Sequence, residues 1–415
     1  MRILIISYYF PPFMNVGGLR AMSWAREFHD AGHEVTVLKG DGQETASCAY
    51  FTESLDRDIK VIVAHNPMLQ PAGEAKHDAP RLGAMLEGIK GLIKRNLPIL
   101  DSYGLWARDA LSSLAAVIEN DGSFDIIVST SFPLSAHRVA YDIKRRYGGI
   151  WSADFRDFYG QFDSNAINYS SVRGKYLSAF FRSLGKAADL VTMASEPLKE
   201  LIAFHVRPRS TLTLFNGYFA EHLPSLGQRT IQNRILYTGS YNAHEFSVAP
   251  LVEALAALKA EGLALPEPVF TGPVVPQIEE AFSAIGLTAR FIGSASNKEV
   301  LRLQAESAFL LLCDAMSGKG TLLTKSFEYM AALRPIIVLT KESSDLTKKV
   351  FTAPQNGYCV TLDPKAIADF IKAWPLEREA LAEDFFPSDF IAEYSRERQA
   401  RLLREALETM VKRNA

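Results

Sequence analysis

A chain of 415 residues is longer than one hydrophobic core of ordinary size, so it divides into domains, and two are expected. With 48% apolar and 22% charged residues, it is excluded from the disordered class. Forty-five basic side chains against 47 acidic ones, a net charge of −2, give no global attraction for nucleic acid, which is not an expected partner.

Cys48, Cys313 and Cys359 are widely spaced and form no Cys-x-x-Cys pair. That argues against a disulfide framework or a zinc knuckle and fits a reducing compartment. The opening Met-Arg-Ile-Leu-Ile-Ile-Ser turns polar and proline-rich too soon for a signal peptide. No apolar run reaches the roughly 18–20 residues of a membrane span. A cytoplasmic protein is expected, with any membrane contact peripheral, at the inner face of the cell membrane.

Short apolar runs alternate with amphipathic stretches of helical length from the start, the pattern of βαβ units and a parallel sheet. Residues 3–7 read as the first strand, followed by a loop, a helix ending near Gly32, and strands at 34–38 and 59–64. Residues 66–101 are rich in Pro, Gly and charge, yet Leu82, Met85, Leu86, Ile89, Leu92 and Ile93 fall at helical spacing beside Lys90, Lys94 and Arg95. The segment 82–97 is either an ordinary surface helix docked on its own domain or a basic amphipathic helix lying on an anionic membrane. Strands follow at 124–129, 150–153, 190–194 and 211–215. Domain one is expected over 1–218, a linker over 219–232 and domain two over 233–390, with strands at 234–238, 269–271, 289–292, 308–313 and 335–339. Residues 391–415 read as a helix with no strand after it, so it must pack on structure already formed.

Four segments could carry chemistry. The first loop, Tyr8-Tyr9-Phe10-Pro11-Pro12-Phe13-Met14-Asn15-Val16-Gly17-Gly18-Leu19-Arg20, sets a glycine pair before a helix. Backbone there can approach a ligand closely, and a helix N-terminus offers N–H groups to an anion, although the same pair also serves simple chain reversal. Neither the G-x-G-x-x-G fingerprint nor the P-loop pattern is present. In Ser129-Thr130-Ser131-Phe132-Pro133-Leu134-Ser135-Ala136-His137, the histidine falls in the first helical turn beyond a strand's carboxyl end, where open α/β sheets bind ligands. It is either a packed core histidine or a ligand contact. Asp154, Arg156 and Asp157 end the next strand, forming a structural salt bridge or meeting substrate. In the fourth, Ser317-Gly318-Lys319-Gly320-Thr321 is a glycine-rich anion cradle ahead of a helix. Lys325 and Glu328 follow on one helix face, as a surface ion pair or as partners of a diphosphate and a ribose diol.

In this order, Tyr-Tyr-Phe-Pro-Pro…Gly-Gly-Leu-Arg, Ser-x-Pro-x-x-x-His, Asp-Phe-Arg-Asp, Asn-Gly-Tyr and Lys-Ser-Phe-Glu-Tyr-Met-Ala-Ala-x-Arg-Pro resemble the retaining family-4 type of GT-B glycosyltransferases over nearly the whole chain. The resemblance implies two Rossmann-like α/β domains with parallel sheets facing across a cleft, and a C-terminal helix crossing back to the N-terminal domain. It implies a nucleotide-sugar donor, UDP- or GDP-linked, held mainly by the second domain, and a glycan or lipid-linked acceptor held by the first, as in surface polysaccharide or glycolipid synthesis. Glu328 would take the ribose, Lys325 the diphosphate, and the Lys319, Gly320 and Thr321 backbone the sugar or phosphate; Lys319, Lys325 or Arg20, with His244 behind them, would stand in for the diphosphate-binding arginine and lysine usual after the second domain's first strand. Gly17 and Gly18 would close over the diphosphate. His137, with Arg156 and Asp157, would work at the reacting sugar. No cofactor and no metal are expected, because lysines and backbone N–H groups can stabilise the departing diphosphate. A sugar-nucleotide epimerase of the same fold, and a non-catalytic nucleotide-sugar binder, are the alternatives. The sequence departs from the family pattern twice: Gly320 stands where a first glutamate is usual, and residues 240–246 carry no arginine or lysine.

Overall fold

The computed structural model describes residues 1–12, 17–42, 57–67, 97–158, 170–223, 229–239, 241, 247–293, 295–313, 324–340, 357–375 and 388–414. The chain forms two compact units. Met1–Cys48 and Glu53–Phe215 make the first together with Ala400–Ala415, and Asn216–Gln399 makes the second.

The first unit runs β1 (Arg2–Ile6), α1 (Gly18–Asp30), β2 (Glu34–Gly40), β3 (Lys60–Ala64), α2 (Gly104–Asp121), β4 (Ile126–Ser131), α3 (Ser135–Tyr147), β5 (Ile150–Phe155), α4 (Val172–Ala187), β6 (Leu190–Met193), α5 (Glu196–His205) and β7 (Thr211–Thr213). Its strands pair in the order β3-β2-β1-β4-β5-β6-β7. Every pairing is parallel, with Ile3 opposite Val35 on one side and Ile126 on the other. Helices on both faces leave the central strands no route to water, so all six residues of β4 and all six of β5 are buried. The edge strand β3 has only Ala64 fully covered. Strand order reverses between β1 and β4, and the crevice beyond their carboxyl ends is where such sheets take ligands.

The second unit runs β8 (Gln232–Tyr237), α6 (Ala249–Ala260), β9 (Glu267–Phe270), α7 (Pro276–Ser283), β10 (Arg290–Phe291), α8 (Asn297–Ala305), β11 (Ser307–Cys313), α9 (Thr324–Ala332), β12 (Ile336–Leu339), β13 (Tyr358–Val360), α10 (Pro364–Ala373) and α11 (Ser388–Glu393). Its parallel order is β10-β9-β8-β11-β12-β13, which reverses between β8 and β11. All seven residues of β11 are buried. Helix α8 opens on Ser296, whose Oγ accepts from the Glu299 amide at 3.2 Å, a capping interaction that fixes where the helix begins.

The segment Asn216-Gly217-Tyr218 pairs with residues 394–396: the Tyr218 amide donates to Tyr394 O at 3.3 Å, and the Arg396 amide donates to Tyr218 O at 2.8 Å. Gly217 has φ +67°, and a Cβ there would lie 2.5 Å from Tyr394 O, so only glycine permits this approach. Helix α12 (Arg396–Asn414) then continues into the first unit. Ala400, Leu403 and Leu407 are buried at three- and four-residue spacing. Arg404 Nε meets Glu27 Oε1 at 2.9 Å, and Glu408 Oε1 meets His33 Nε2 at 2.9 Å. The final helix therefore does pack on the N-terminal unit. Among the described residues, no helix is long and apolar enough to cross a membrane.

Candidate functional site

In the second unit, β8 delivers Thr238 and Gly239 to the switch point, and α9 enters beside them. Gly239 has φ +98°, a conformation side chains rarely adopt, and its amide donates to Thr271 Oγ1 at 2.8 Å. A Cβ on Gly239 would stand 3.4 Å from Lys325 Nζ, so the strand end and this amine are in close contact. Lys325 Nζ lies 4.0 Å from the centroid of the Tyr237 ring, whose π face attracts the cation. Burial pushes the amine down to about 8, against the opposing influence of the Cys313 sulfur and the Glu328 carboxylate.

Glu328 is one turn further along α9. Its Oε2 accepts from Gln304 Nε2 at 3.2 Å, and the same amide donates to Thr238 Oγ1 at 3.2 Å. The Tyr329 hydroxyl accepts from the Thr238 amide at 3.0 Å and lies 3.2 Å from Thr238 Oγ1. Burial raises the Glu328 carboxyl, and the Gln304 hydrogen bond together with Arg396 and Lys325 act the other way. The result is an anion-attracting amine and a hydrogen-bond acceptor on one helix face, locked by a buried glutamine and tyrosine. Gln304, Thr238 and Tyr329 are absent from the sequence-derived candidates. Gln304 had a visible signal: it is a polar residue three and four places from Leu301 and Val300, on the buried face of α8.

In the first unit, Gly17 caps α1 with φ −66° and ψ −33° and no side-chain cap, and Gly18 is buried. The dihedrals are right-handed helical, so Gly17 needs no glycine-only conformation. Arg20 is held inside the first unit. Its guanidinium is buried, with Nη2 2.7 Å from Asp154 Oδ1 and Nε 3.2 Å from Oδ2. Nη1 donates to Leu214 O at 2.8 Å and Phe215 O at 3.1 Å. Asp154 also accepts from Thr130 Oγ1 at 2.8 Å and Thr192 Oγ1 at 2.7 Å. This set of bonds ties α1 to β4, β5, β6 and the end of the β7 segment.

His137 is fully buried in the first turn of α3. Its Nδ1 is 2.8 Å from Ser129 Oγ, which accepts from Trp151 Nε1 at 2.9 Å. Because Trp151 can only donate, the Ser129 hydroxyl is free to donate to Nδ1, and the ring proton then sits on Nε2. Among the described residues Nε2 has no close hydrogen-bond partner, although the Asp154 backbone is near enough to favour the charged ring. Burial pushes this histidine down to about 4 despite the nearby Asp154 charge, so it is a neutral donor at pH 7. Arg156 and Asp157 pair with each other, Nε to Oδ2 at 2.8 Å, partly exposed just beyond β5. No hydrogen bond or ion pair joins either to His137 among the described residues, so the three catalytic candidates do not form one bonded group. Lys319, Gly320 and Thr321 lie outside the described residues, as do His244 and the basic residues Lys90, Lys94 and Arg95.

No protein-family model and no curated protein matches the chain. Solved structures do match, at low identity and along the full length. Sucrose-phosphate synthase from Thermosynechococcus elongatus superposes with a TM-score of 0.62 at 13% identity, covering 99% of both chains. HepE of Anabaena, in complex with UDP and glucose, gives 0.59 at 14% identity over 99% of this chain and 100% of its own. A UDP-N-acetylglucosamine 2-epimerase, so designated, from Listeria monocytogenes gives 0.56 at 10% identity over 99% and 97%. The fold is therefore the GT-B fold: two parallel-sheet α/β domains of seven and six strands.

Proposed function

We propose that the chain is a glycosyltransferase that takes its sugar from a nucleoside-diphosphate sugar, UDP- or GDP-linked, and passes it to a glycan or lipid-linked acceptor. The observation that carries this reading is the Lys325–Glu328 face of α9, braced by Gln304 and Thr238 at the switch point of the second sheet. A carboxylate there accepts from the two hydroxyls of a ribose, and an ammonium one turn away faces a diphosphate. That HepE, of the same fold, is seen with UDP and glucose is in keeping with it. His137 is the proposed donor to a hydroxyl of the bound sugar, a role that requires ligand binding to uncover its now fully buried Nε2. Gly17, Gly18 and the Lys319–Thr321 backbone would line the phosphates. The transfer is proposed to proceed with retention and without a metal, charge on the leaving diphosphate being met by Lys325 and backbone N–H groups. A thermal-shift screen of UDP-, GDP- and ADP-sugars tests the donor reading, since a ligand at a hundred times its Kd raises stability by about 2.7 kcal/mol. No shift with any of them would overturn it.

Two expected results follow from the site. UDP affinity should fall by up to about tenfold per pH unit above pH 8, because an anion raises the Lys325 pKa from its free value of about 8. Lys325→Arg should flatten that limb in calorimetric titration, since a guanidinium keeps its charge. Transfer should also survive EDTA; loss on chelation with recovery on adding Mn²⁺ would refute the metal-free reading. An epimerase is the second reading, favoured by the match to the Listeria structure. Conversion of UDP-N-acetylglucosamine with no acceptor present would select it.

A further inference from the structure

The outer face of α4 and the end of α5 bring basic and exposed apolar side chains together. Helix α4 carries Arg173, Lys175, Arg182 and Lys186 and no acidic residue, in a chain whose net charge is −2. Lys175 and Arg182, seven apart and so on one helix face, line a cavity of about 470 Å³ with Phe204, His205 and Arg207. No carboxylate pairs with Lys175, Arg182 or Arg207 among the described residues. Phe204 is 69% exposed, more than any other large apolar side chain described, and Val172, one turn before Lys175, is 51% exposed. Arg207 closes α5 in the left-handed region, φ +54°, its amide donating to Ile202 O at 3.2 Å. Glycine is the usual occupant of that turn, so an arginine here sets a cation at the cavity's rim against the backbone's preference.

We propose that this groove is a docking surface for an anionic lipid membrane. Lys175, Arg182 and Arg207 meet lipid phosphates, while Phe204 and Val172 enter the boundary between headgroups and acyl chains. A free phosphate would answer the three cations but leave Phe204 in water; a lipid surface accounts for both. The surface lies on the first unit and does not depend on the donor reading.

Co-sedimentation of the full chain with vesicles tests it, comparing phosphatidylglycerol–phosphatidylcholine mixtures with phosphatidylcholine alone. Binding is expected to the anionic vesicles only and to fall at least about a hundredfold in a Lys175→Glu/Arg182→Glu/Arg207→Glu variant, since each substitution removes a cation worth roughly fivefold and adds an anion. Phe204→Ser should weaken binding with every charge retained. Arg207→Gly, which suits the left-handed turn, should keep the wild-type melting temperature while binding vesicles about fivefold less well. UDP affinity of the same variants serves as the check on folding, and absence of UDP binding by the wild type would count against the donor reading alone. The proposal is overturned by no binding of the wild type, by equal binding to neutral vesicles, or by displacement with millimolar inorganic phosphate. Loss of binding in Lys90→Glu/Lys94→Glu/Arg95→Glu but not in the groove variant would also overturn it, assigning the contact to residues 82–97.

Discussion

Arg20→Ala is expected to destabilise the first unit by about 3–5 kcal/mol, the usual result of stripping one partner from a buried ion pair. The substitution leaves the Asp154 carboxylate enclosed with only the Thr130 and Thr192 hydroxyls, and it leaves Leu214 O and Phe215 O without the Nη1 donor. Against a total of roughly 5–15 kcal/mol for a domain, that is a large fraction. Urea unfolding followed by tryptophan fluorescence measures it, because Trp24 and Trp151 are buried in this unit. Arg20→Met/Asp154→Leu, which removes both charges together, should recover much of the loss. Wild-type stability in Arg20→Ala combined with lost UDP affinity would reverse the structural assignment and restore Arg20 as a diphosphate ligand.

Glu328 is expected to behave in the opposite way. Glu328→Ala should weaken UDP binding roughly 100-fold, about 3 kcal/mol, through loss of two hydroxyl-to-carboxylate hydrogen bonds. Its folded-state carboxyl is raised by burial, so the folded protein holds this proton to higher pH than the unfolded chain does. Stability from this group is therefore present at low pH and is lost as pH rises from the unfolded carboxyl value through the folded one. Glu328→Gln should accordingly melt no earlier than the wild type at pH 7, and its melting temperature should fall less as pH rises from about 4. A residue that costs stability while binding ligand is the usual sign of a site maintained for function. Unchanged UDP affinity in Glu328→Ala would remove it from the site.

How far the fold was legible depended on how local each signal was. Residues 308–313 form an unbroken apolar run because β11 is buried on both faces, and that run is visible without any partner. The edge strand β13 has three partly covered residues, Tyr358, Cys359 and Val360, and so leaves no such run and goes unread. The strand expected at 289–292 shrinks to Arg290–Phe291 for the same reason, since only β9 pairs with it. Among site residues, Lys325 and Glu328 share a helix face that spacing alone predicts. The pairing of Arg20 with Asp154 was not legible, because the two are 134 positions apart and only the sheet brings them together. Gln304 was overlooked because its place on the apolar face of α8 shows in the spacing but the groups it bonds, Glu328 and Thr238, lie 24 and 66 positions away.

The ties from Arg404 to Glu27 and from Glu408 to His33 bear on the order in which the protein comes into being. Residues 216–399 are contiguous in the second unit and can fold as they leave the ribosome, whereas α1 begins before them and receives its covering helix only after them. The unit synthesised first is thus finished second. Until residues 400–414 emerge, the surface on which Ala400, Leu403 and Leu407 come to rest stays open to water, and it is there that a stalled or shortened chain would meet a chaperone or a protease.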